Sequence, residues 1–397
     1  MRTDGIITVE LRAELDELAR LDRLTEIVPT AERVGGLVEH RGRTVTNLCS
    51  WDYLGLNRHP EICAAAQRCT AQHGFGIAAA RGSAGTGLEV LECESRIARF
   101  LCTESAVLMS SRNQAILTIV SALLNERDVL FIEDGSSSPV TDAVELSGAQ
   151  LATFSIGDSN SLATGLERAR SARRRIIFAE SISPISGAIA PIAEYAKLAE
   201  RLDASLIVDE SFALGALGIR GAGGSEHAAV ASQVLLHFAD LNRAVPGSGA
   251  FIAGNATLIG YLMNRSRTFA IENPLPAPVA SAITAALDVI ELAIGKRKMI
   301  ADFAQMAAVA FGAVGLDVVE HPPSPIVAIR FQKLAAAQEF TALLFQRGIL
   351  AEVVPFAAAR SEGAVVRMIM RAGLSEVAVT GLIESVTELV VNQRERG

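Results

Sequence analysis

The feature that most constrains the fold is a series of continuous apolar runs that alternate with amphipathic segments. Runs such as SAVLMS, DVLFIED, RRRIIFAES and SLIVDES fit fully buried strands, whereas LECESRIARFL and IAEYAKLAERLDA fit helices with one apolar face. Strands that are apolar on both faces are typical of parallel sheets, because the crossover connections place helices on both sides. The sequence therefore predicts an α/β fold with a three-layer, mostly parallel sheet.

The segments on either side of this alternation have a different pattern. Over residues 9–26, leucines return every three or four positions, which predicts an amphipathic helix in an N-terminal arm. After the proline-rich ENPLPAP we predict a long helix over 276–300, followed by mixed helices and strands. The chain is therefore predicted to have three parts, namely an N-terminal arm at 1–45, a large domain at 46–275 and a small C-terminal α+β domain at 276–397.

Composition and charge exclude several classes of protein. The chain is acidic, with 36 Lys and Arg against 44 Asp and Glu and 5% aromatic residues, so we expect no nucleic-acid partner. No apolar run approaches the roughly 18 to 20 residues of a membrane span, and the N-terminus lacks the apolar core of a signal peptide. We therefore expect a cytoplasmic protein without a membrane span. The cysteine spacing fits neither a zinc site nor a disulfide framework, which predicts reduced thiols and no metal site at Cys49, Cys63, Cys69, Cys93 and Cys102.

One carboxylate has the position of a ligand-binding residue. The strand SLIVDE ends in Asp209, and the carboxyl ends of parallel strands border the crevice in which α/β sheets bind ligands. The glycine strings RGSAGTG and GIRGAGG do not match a phosphate-binding loop and fit tight turns instead. A helix cap or an ion pair would also explain Asp209, so this position alone does not identify a function.

The order of motifs along the chain resembles that of a known family. WDYLGLNRHPEI, RGSAGTG, the strand with Asp209, GIRGAGGSEH, LNRAVPGSGAFIAG and RTFAIENPLPAP follow one another as in the α-oxoamine synthases. These are fold-type-I pyridoxal phosphate enzymes that join an amino acid to an acyl-CoA with loss of carbon dioxide. The resemblance extends over nearly the whole chain and implies a fold-type-I aminotransferase-like fold.

The resemblance also assigns the positions around the cofactor ring. Asp209 corresponds to the aspartate that pairs with the pyridinium nitrogen. In place of the family's DEAH the chain has DESF, which puts Phe212 at a histidine position near the phenolic oxygen. Alignment on LSGA puts Ser137 at the histidine that stacks on the ring, with Glu133 at the family's aspartate.

The position of the Schiff-base lysine is also changed. With AFIAG as the anchor, the resemblance places Arg243 where the family has its lysine, and a guanidinium stays protonated and is not a usable nucleophile. Asp240 replaces a threonine that contacts the phosphate. Ser110 and Ser111 begin an altered phosphate loop, SSRNQA.

Few amines remain that can replace the lysine. Of the 36 basic residues only four are lysines, and their local patterns place them away from the cofactor motifs at Lys197, Lys296, Lys298 and Lys333. We therefore predict that the pyridoxal phosphate site is degenerate and that no cofactor is to be expected. Arg367, in VVRMIM, corresponds to the family arginine that holds the substrate carboxylate, and Tyr53 and Arg81 are further candidates for contact with the substrate.

Two functions from different classes fit these substitutions. The first is a degenerate α-oxoamine synthase-like protein, free of pyridoxal phosphate, that acts as the partner subunit of an active, lysine-bearing paralogue. The alternative is an acyltransferase that uses no pyridoxal phosphate and acts on an acyl-CoA or acyl carrier protein, with Asp209, Arg243, Ser137 and Glu133 as catalytic candidates. An ordinary pyridoxal phosphate-dependent synthase is the least favoured hypothesis. The family's pocket is built across a two-fold interface, so we expect a homodimer or a heterodimer with such a paralogue.

Overall fold

The computed structural model describes most of the chain. It covers 6–20, 24, 27–77, 79–136, 138–266, 269–319, 324–355 and 363–396. The statements below concern these residues. Ser137, a candidate from the sequence, lies outside them.

The N-terminal elements are a helix, a small sheet and a second helix. The bounds are α1 (Ile6–Arg20), β1 (Thr30–Glu32), β2 (Leu37–His40), β3 (Arg43–Asn47) and α2 (Pro60–His73). The strands β1, β2 and β3 pair in antiparallel order. Pro60 can begin α2 because the first helical position has no backbone hydrogen bond to lose.

A seven-stranded sheet forms the centre of the molecule. Its strands are β4 (Ser105–Met109), β5 (Val129–Glu133), β6 (Gln150–Phe154), β7 (Arg175–Glu180), β8 (Ser205–Asp209), β9 (Leu236–Asp240) and β10 (Ala250–Gly254). They lie in the order β4-β10-β9-β8-β7-β5-β6, and β10 runs antiparallel to both of its neighbours. The other pairings are parallel, which confirms the predicted mostly parallel sheet.

Helices cover both faces of this sheet. Their bounds are α3 (Leu88–Leu101), α4 (Arg112–Leu123), α5 (Ser138–Ser147), α6 (Ser159–Arg168), α7 (Ile192–Arg201), α8 (Gly224–His227) and α9 (Ala256–Arg265). The helices α4, α5 and α9 share one apolar core with the strands, whereas α6 and α7 share a separate core on the opposite face. The continuous apolar strands are thus explained by burial on two sides.

The C-terminal part contains four helices and the third sheet of the described residues. The bounds are α10 (Ala277–Leu292), α11 (Ile294–Ala313), β11 (Ile326–Phe331), α12 (Leu334–Gln346), β12 (Ile349–Leu350), β13 (Glu352–Pro355), β14 (Ala364–Ile369) and α13 (Glu376–Arg396). The strands β11, β14 and β13 form an antiparallel sheet, while β12 pairs in parallel with β3. The N-terminal sheet therefore receives its fourth strand from the C-terminal part of the chain.

The single helix predicted over 276–300 is wrong. At Ala293 the backbone has φ −86° and ψ 25°, outside helical values, so α10 ends and α11 begins in a new direction. Both helices are apolar and rich in alanine, and periodicity alone does not reveal such a break. No single helix in the described part of the chain is long and apolar enough to cross a membrane. The helices α10 and α11 have that length and apolar character only when taken together, and the pair is bent by 72° at the break between them.

Candidate functional site

Two carboxylates lie side by side at the carboxyl edge of the central sheet. Glu180 ends β7, Asp209 ends β8, and the two residues are register partners in the parallel pairing. Register partners of neighbouring parallel strands point to the same face, and both side chains are buried. The strand rule that identifies Asp209 applies equally to Glu180, which the sequence analysis missed.

Arg112 joins the two carboxylates from the start of α4. Its Nη2 lies 2.7 Å from Asp209 Oδ2 and 3.4 Å from Glu180 Oε1. The backbone N–H of Ser211 donates to the other oxygen of Asp209 at 2.9 Å. Burial opposes the charged form of Arg112, but the charge and the hydrogen bond of Asp209 act against burial, and the pKa of the guanidinium is raised.

Glu180 holds a proton at neutral pH. Burial, together with the negative charge of Asp209, raises the pKa of Glu180 to about 8, although Arg112 acts in the opposite direction. With Glu180 neutral, the charge of Arg112 is balanced by Asp209. This edge of the sheet therefore carries an ion pair and a neutral acid that can donate a proton.

The guanidinium of Arg243 lies against two aromatic rings. Its Cζ is 3.8 Å from the ring centroid of Phe212 and 4.6 Å from that of Trp51. Its nearest carboxylate belongs to Asp240, with Nη2 and Oδ2 3.6 Å apart, too far for a hydrogen bond. Burial lowers the pKa of Arg243 and raises that of Asp240. Cation–π contact fixes this guanidinium in a poorly compensated environment.

A second arginine also contacts the ring of Trp51. The Cζ of Arg367, on β14, is 4.4 Å from the Trp51 ring centroid. Arg367 donates to Glu352 Oε2 at 2.5 Å and to the carbonyl oxygen of Pro184. The structure thus brings the substrate candidate Arg367 and Arg243 to the same indole, and neither Trp51 nor Glu352 was singled out by the sequence.

Tyr53 lies in the same neighbourhood. Its side chain is fully buried, and its hydroxyl has no hydrogen-bond partner within the described ranges. Burial raises the pKa of Tyr53, and the charges of Arg243 and Arg367 act against that rise. The structure therefore groups Tyr53 with both arginines.

Glu133 is directed to a different part of the molecule. Its Oε1 accepts a hydrogen bond from the hydroxyl of Tyr195 at 2.6 Å and from the backbone N–H of Gly157 at 3.2 Å. Tyr195 belongs to the apolar core of α6 and α7, opposite the α4 face on which Arg112 reaches Asp209. The structure separates the catalytic candidate Glu133 from Asp209, because successive strand residues alternate between faces.

Arg81 makes an interior ion pair. Its Nη1 donates to Glu94 Oε1 at 2.7 Å and to the carbonyl oxygen of Leu108 at 3.1 Å. Its Cζ lies 5.1 Å from the ring centroid of Phe269, and only 5% of the side chain is exposed. These bonds tie α3 to β4, so the structure gives this substrate candidate a packing role.

The start of α4 is capped by its own polar side chains. Ser111 accepts a hydrogen bond from the backbone N–H of Gln114, and the hydroxyl of Ser110 bonds to Gln114 Oε1 at 2.8 Å and to Glu272 Oε1 at 3.1 Å. The amide nitrogen of Gln114 is buried without a partner among the described residues. The helix N-terminus predicted to be an altered phosphate loop thus retains a polar environment.

Comparison with known proteins identifies the family. The family model "Aminotransferase class I and II" matches residues 43–386. An 8-amino-7-oxononanoate synthase from Anaeromyxobacter dehalogenans is 33% identical over 336 residues, which cover 85% of this chain and 84% of that protein. The chain belongs to this family, in its α-oxoamine synthase branch. The resemblance inferred from the order of motifs is therefore confirmed.

Solved structures of the branch have the same fold. A serine palmitoyltransferase from Sphingomonas wittichii matches with a TM-score of 0.89 at 21% identity, over 99% of this chain and 100% of that one. A high-resolution structure of SPT with PLP matches with a TM-score of 0.89 at 20% identity, over 96% of this chain and 98% of that one. These matches confirm the fold-type-I aminotransferase-like fold.

The prediction that no cofactor is to be expected is wrong. The relatives named above and the solved structure with PLP point to pyridoxal phosphate as the cofactor of this branch. The prediction treated substitutions at single positions as loss of the whole site, although the fold and the carboxylate of Asp209 are retained. This correction applies to both hypotheses, because the partner subunit and the alternative acyltransferase were each predicted to be free of pyridoxal phosphate.

The residues of this α-oxoamine synthase-family chain suit part of the cofactor. Asp209 is a buried carboxylate that can pair with a pyridinium nitrogen once Arg112 moves aside, and the unpartnered amide of Gln114 can be satisfied by a phosphate at the start of α4. When bound, pyridoxal phosphate supplies an electron sink. Arg243 does not suit covalent attachment, because its guanidinium stays protonated.

Proposed function

We propose that this chain acts in the condensation of an amino acid with an acyl thioester as the partner subunit of a lysine-bearing α-oxoamine synthase, and that it forms no covalent link to pyridoxal phosphate itself. The observation that carries the proposal is Arg243, which the AFIAG register assigns to the lysine position and whose guanidinium lies 3.8 Å from the Phe212 ring centroid. A protonated guanidinium is not a usable nucleophile, so a neighbouring subunit must supply the amine.

The positions of the four lysines support the missing covalent link. Lys298 is paired with Asp302 at 2.8 Å, and Lys296 donates to the carbonyl oxygen of Leu54 at 3.1 Å. Lys197 and Lys333 are exposed. Each amine thus faces solvent or has a partner outside the group formed by Asp209 and Arg112.

The N-terminal helix supports assembly with a second subunit. Leu11, Leu15 and Leu18 recur along α1 at helical spacing, and 52%, 54% and 39% of each residue is exposed. Burial of such a stripe is favourable by about 25 cal/mol for each Å² of apolar surface removed from water. The sequence prediction of a dimer stays a prediction, and we propose that α1 contributes to its interface.

The test is co-expression with a lysine-bearing α-oxoamine synthase from the same organism. We expect the two chains to co-elute, and the release of coenzyme A from an acyl-CoA in the presence of amino acids to be several-fold faster for the complex than for the relative alone. Leu15→Asp should abolish co-elution, whereas the matched variant Asp16→Asn, on the side of α1 away from the leucine stripe, should retain it.

Two outcomes would reject the partner role. One is turnover by this chain alone at the rate of the complex. The other is that the turnover of the lysine-bearing synthase stays unchanged when this chain is added at any ratio of the two proteins.

A further inference from the structure

Arg243 is the least compensated of the three arginines in the pocket. Arg112 has an oxygen of Asp209 at 2.7 Å, and Arg367 has an oxygen of Glu352 at 2.5 Å. Arg243 has its nearest carboxylate oxygen at 3.6 Å, beyond hydrogen-bond distance, and its Nε, like those of Arg112 and Arg367, is buried without a hydrogen-bond partner in the described part of the chain. A buried cation whose donors are unsatisfied is unfavourable unless an acceptor completes it.

The aromatic contacts of Arg243 do not satisfy its donors. Phe212 and Trp51 contact the guanidinium through their rings, with centroids 3.8 Å and 4.6 Å from Cζ. Such contacts fix the plane of the group, but its N–H bonds lie within that plane and need acceptors at its edge. The rings therefore fix the orientation of donors whose nearest carboxylate oxygen, on Asp240, is 3.6 Å away.

Tyr53 supplies an independent second donor. Its side chain is fully buried, and its hydroxyl has no partner among the described residues. The Tyr53 ring centroid lies 6.3 Å from that of Trp51, the same indole whose ring centroid is 4.6 Å from Arg243 Cζ. Two buried donors that lack acceptors thus share one neighbourhood.

We propose that Arg243 and Tyr53 form a binding site for a small monoanionic carboxylate. The guanidinium and the phenol hydroxyl donate to the carboxylate oxygens, and Trp51 forms the floor beneath the guanidinium. The Arg243 side chain is 15% exposed, so a solute can reach its edge. This site does not depend on the partner role proposed above.

The charges around the site favour a monoanion. The charges of Arg112 and Arg367 are balanced by Asp209 and Glu352, which leaves the charge of Arg243 opposed by Asp240 alone. Asp240 already offsets the charge of Arg243, so a bound carboxylate adds one negative charge to this group, whereas a dianionic phosphate adds two close to Asp240. The geometry thus distinguishes a carboxylate from a phosphate.

The chain carries its own reporter for this site. Trp51 is the single tryptophan of the sequence and contacts Arg243, so binding at the guanidinium should change its fluorescence. The purified full chain is titrated with sodium acetate, sodium phosphate and sodium chloride at constant ionic strength. We expect a saturable change with acetate, a midpoint at least tenfold higher with phosphate and no saturation with chloride.

Variants assign the signal to the proposed residues. Arg243→Gln should abolish saturation by acetate, and Tyr53→Phe, which removes only the hydroxyl, should raise the midpoint several-fold. The matched control Arg330→Gln removes an exposed arginine that pairs with Asp317 and should leave the midpoint unchanged.

Three results would overturn the proposal. The first is that acetate does not saturate the wild type. The second is that Arg243→Gln and Tyr53→Phe both saturate with acetate at the midpoint of the wild type. The third is that phosphate binds more tightly than acetate. If Arg243→Gln does not fold, Tyr53→Phe alone decides. Failure of the partner role would appear in turnover and co-elution and would leave this titration unchanged.

Discussion

Arg112 holds Asp209 in a buried ion pair, with Nη2 and Oδ2 2.7 Å apart, at the carboxyl edge of the central sheet. The arginine begins α4 and lies on the same face as Glu180. The carboxylate that marks the site is therefore compensated by the chain itself. A ligand that uses Asp209 must displace a guanidinium.

Removal of Arg112 should destabilise the fold. Arg112→Leu leaves the Asp209 carboxylate buried and uncompensated, and we expect a loss of about 3 kcal/mol in the free energy of unfolding at pH 7. Urea unfolding measures this loss. As a control, Arg330→Leu breaks an exposed pair and should change stability by less than about 1 kcal/mol. Equal effects of the two variants would contradict the buried pair.

Glu180 should make stability depend on pH between about 4.5 and 8. Its pKa is raised from 4.5 to about 8, so in this range the folded state binds more protons than the unfolded state. Stability should therefore fall as pH rises through this window. Glu180→Gln removes the titrating group, and its unfolding free energy should exceed that of the wild type increasingly toward pH 8. Parallel pH profiles for the two proteins would show that Glu180 does not titrate there.

Glu133 should contribute to packing rather than to binding in the pocket. Tyr195→Phe removes the hydroxyl that donates to Glu133 at 2.6 Å, and we expect a loss of about 1 to 2 kcal/mol of stability, measured by thermal or urea unfolding. The acetate response of Trp51 should not change in this variant. A lost response would place Glu133 in the pocket, contrary to its hydrogen bonds.

Much of the fold follows from the sequence. The apolar runs predict the central strands because burial on both faces requires apolar residues at every position. The break between α10 and α11 could not be predicted, since both helices are apolar and rich in alanine and the change of direction falls at another alanine, Ala293, rather than at a proline.

The site was predictable only in part. Asp209 follows from its place at a strand end, and the same argument could have found Glu180. The role of Trp51 depends on contacts with Arg243 and Arg367, which lie far apart in the chain, so no local pattern reveals it. Resemblance alone overstated the loss of the cofactor, because it compares positions one at a time and does not weigh the retained fold.

The most direct test of the central claim is chemical trapping of pyridoxal phosphate. The purified chain is incubated with pyridoxal phosphate, reduced with borohydride and digested, and the modified peptides are measured by mass spectrometry. We expect no stoichiometric label on the wild type and a reduction-stable label at position 243 in Arg243→Lys, because only that variant places an amine there. A stoichiometric label on one of the four native lysines would contradict the claim that this chain forms no covalent link to the cofactor.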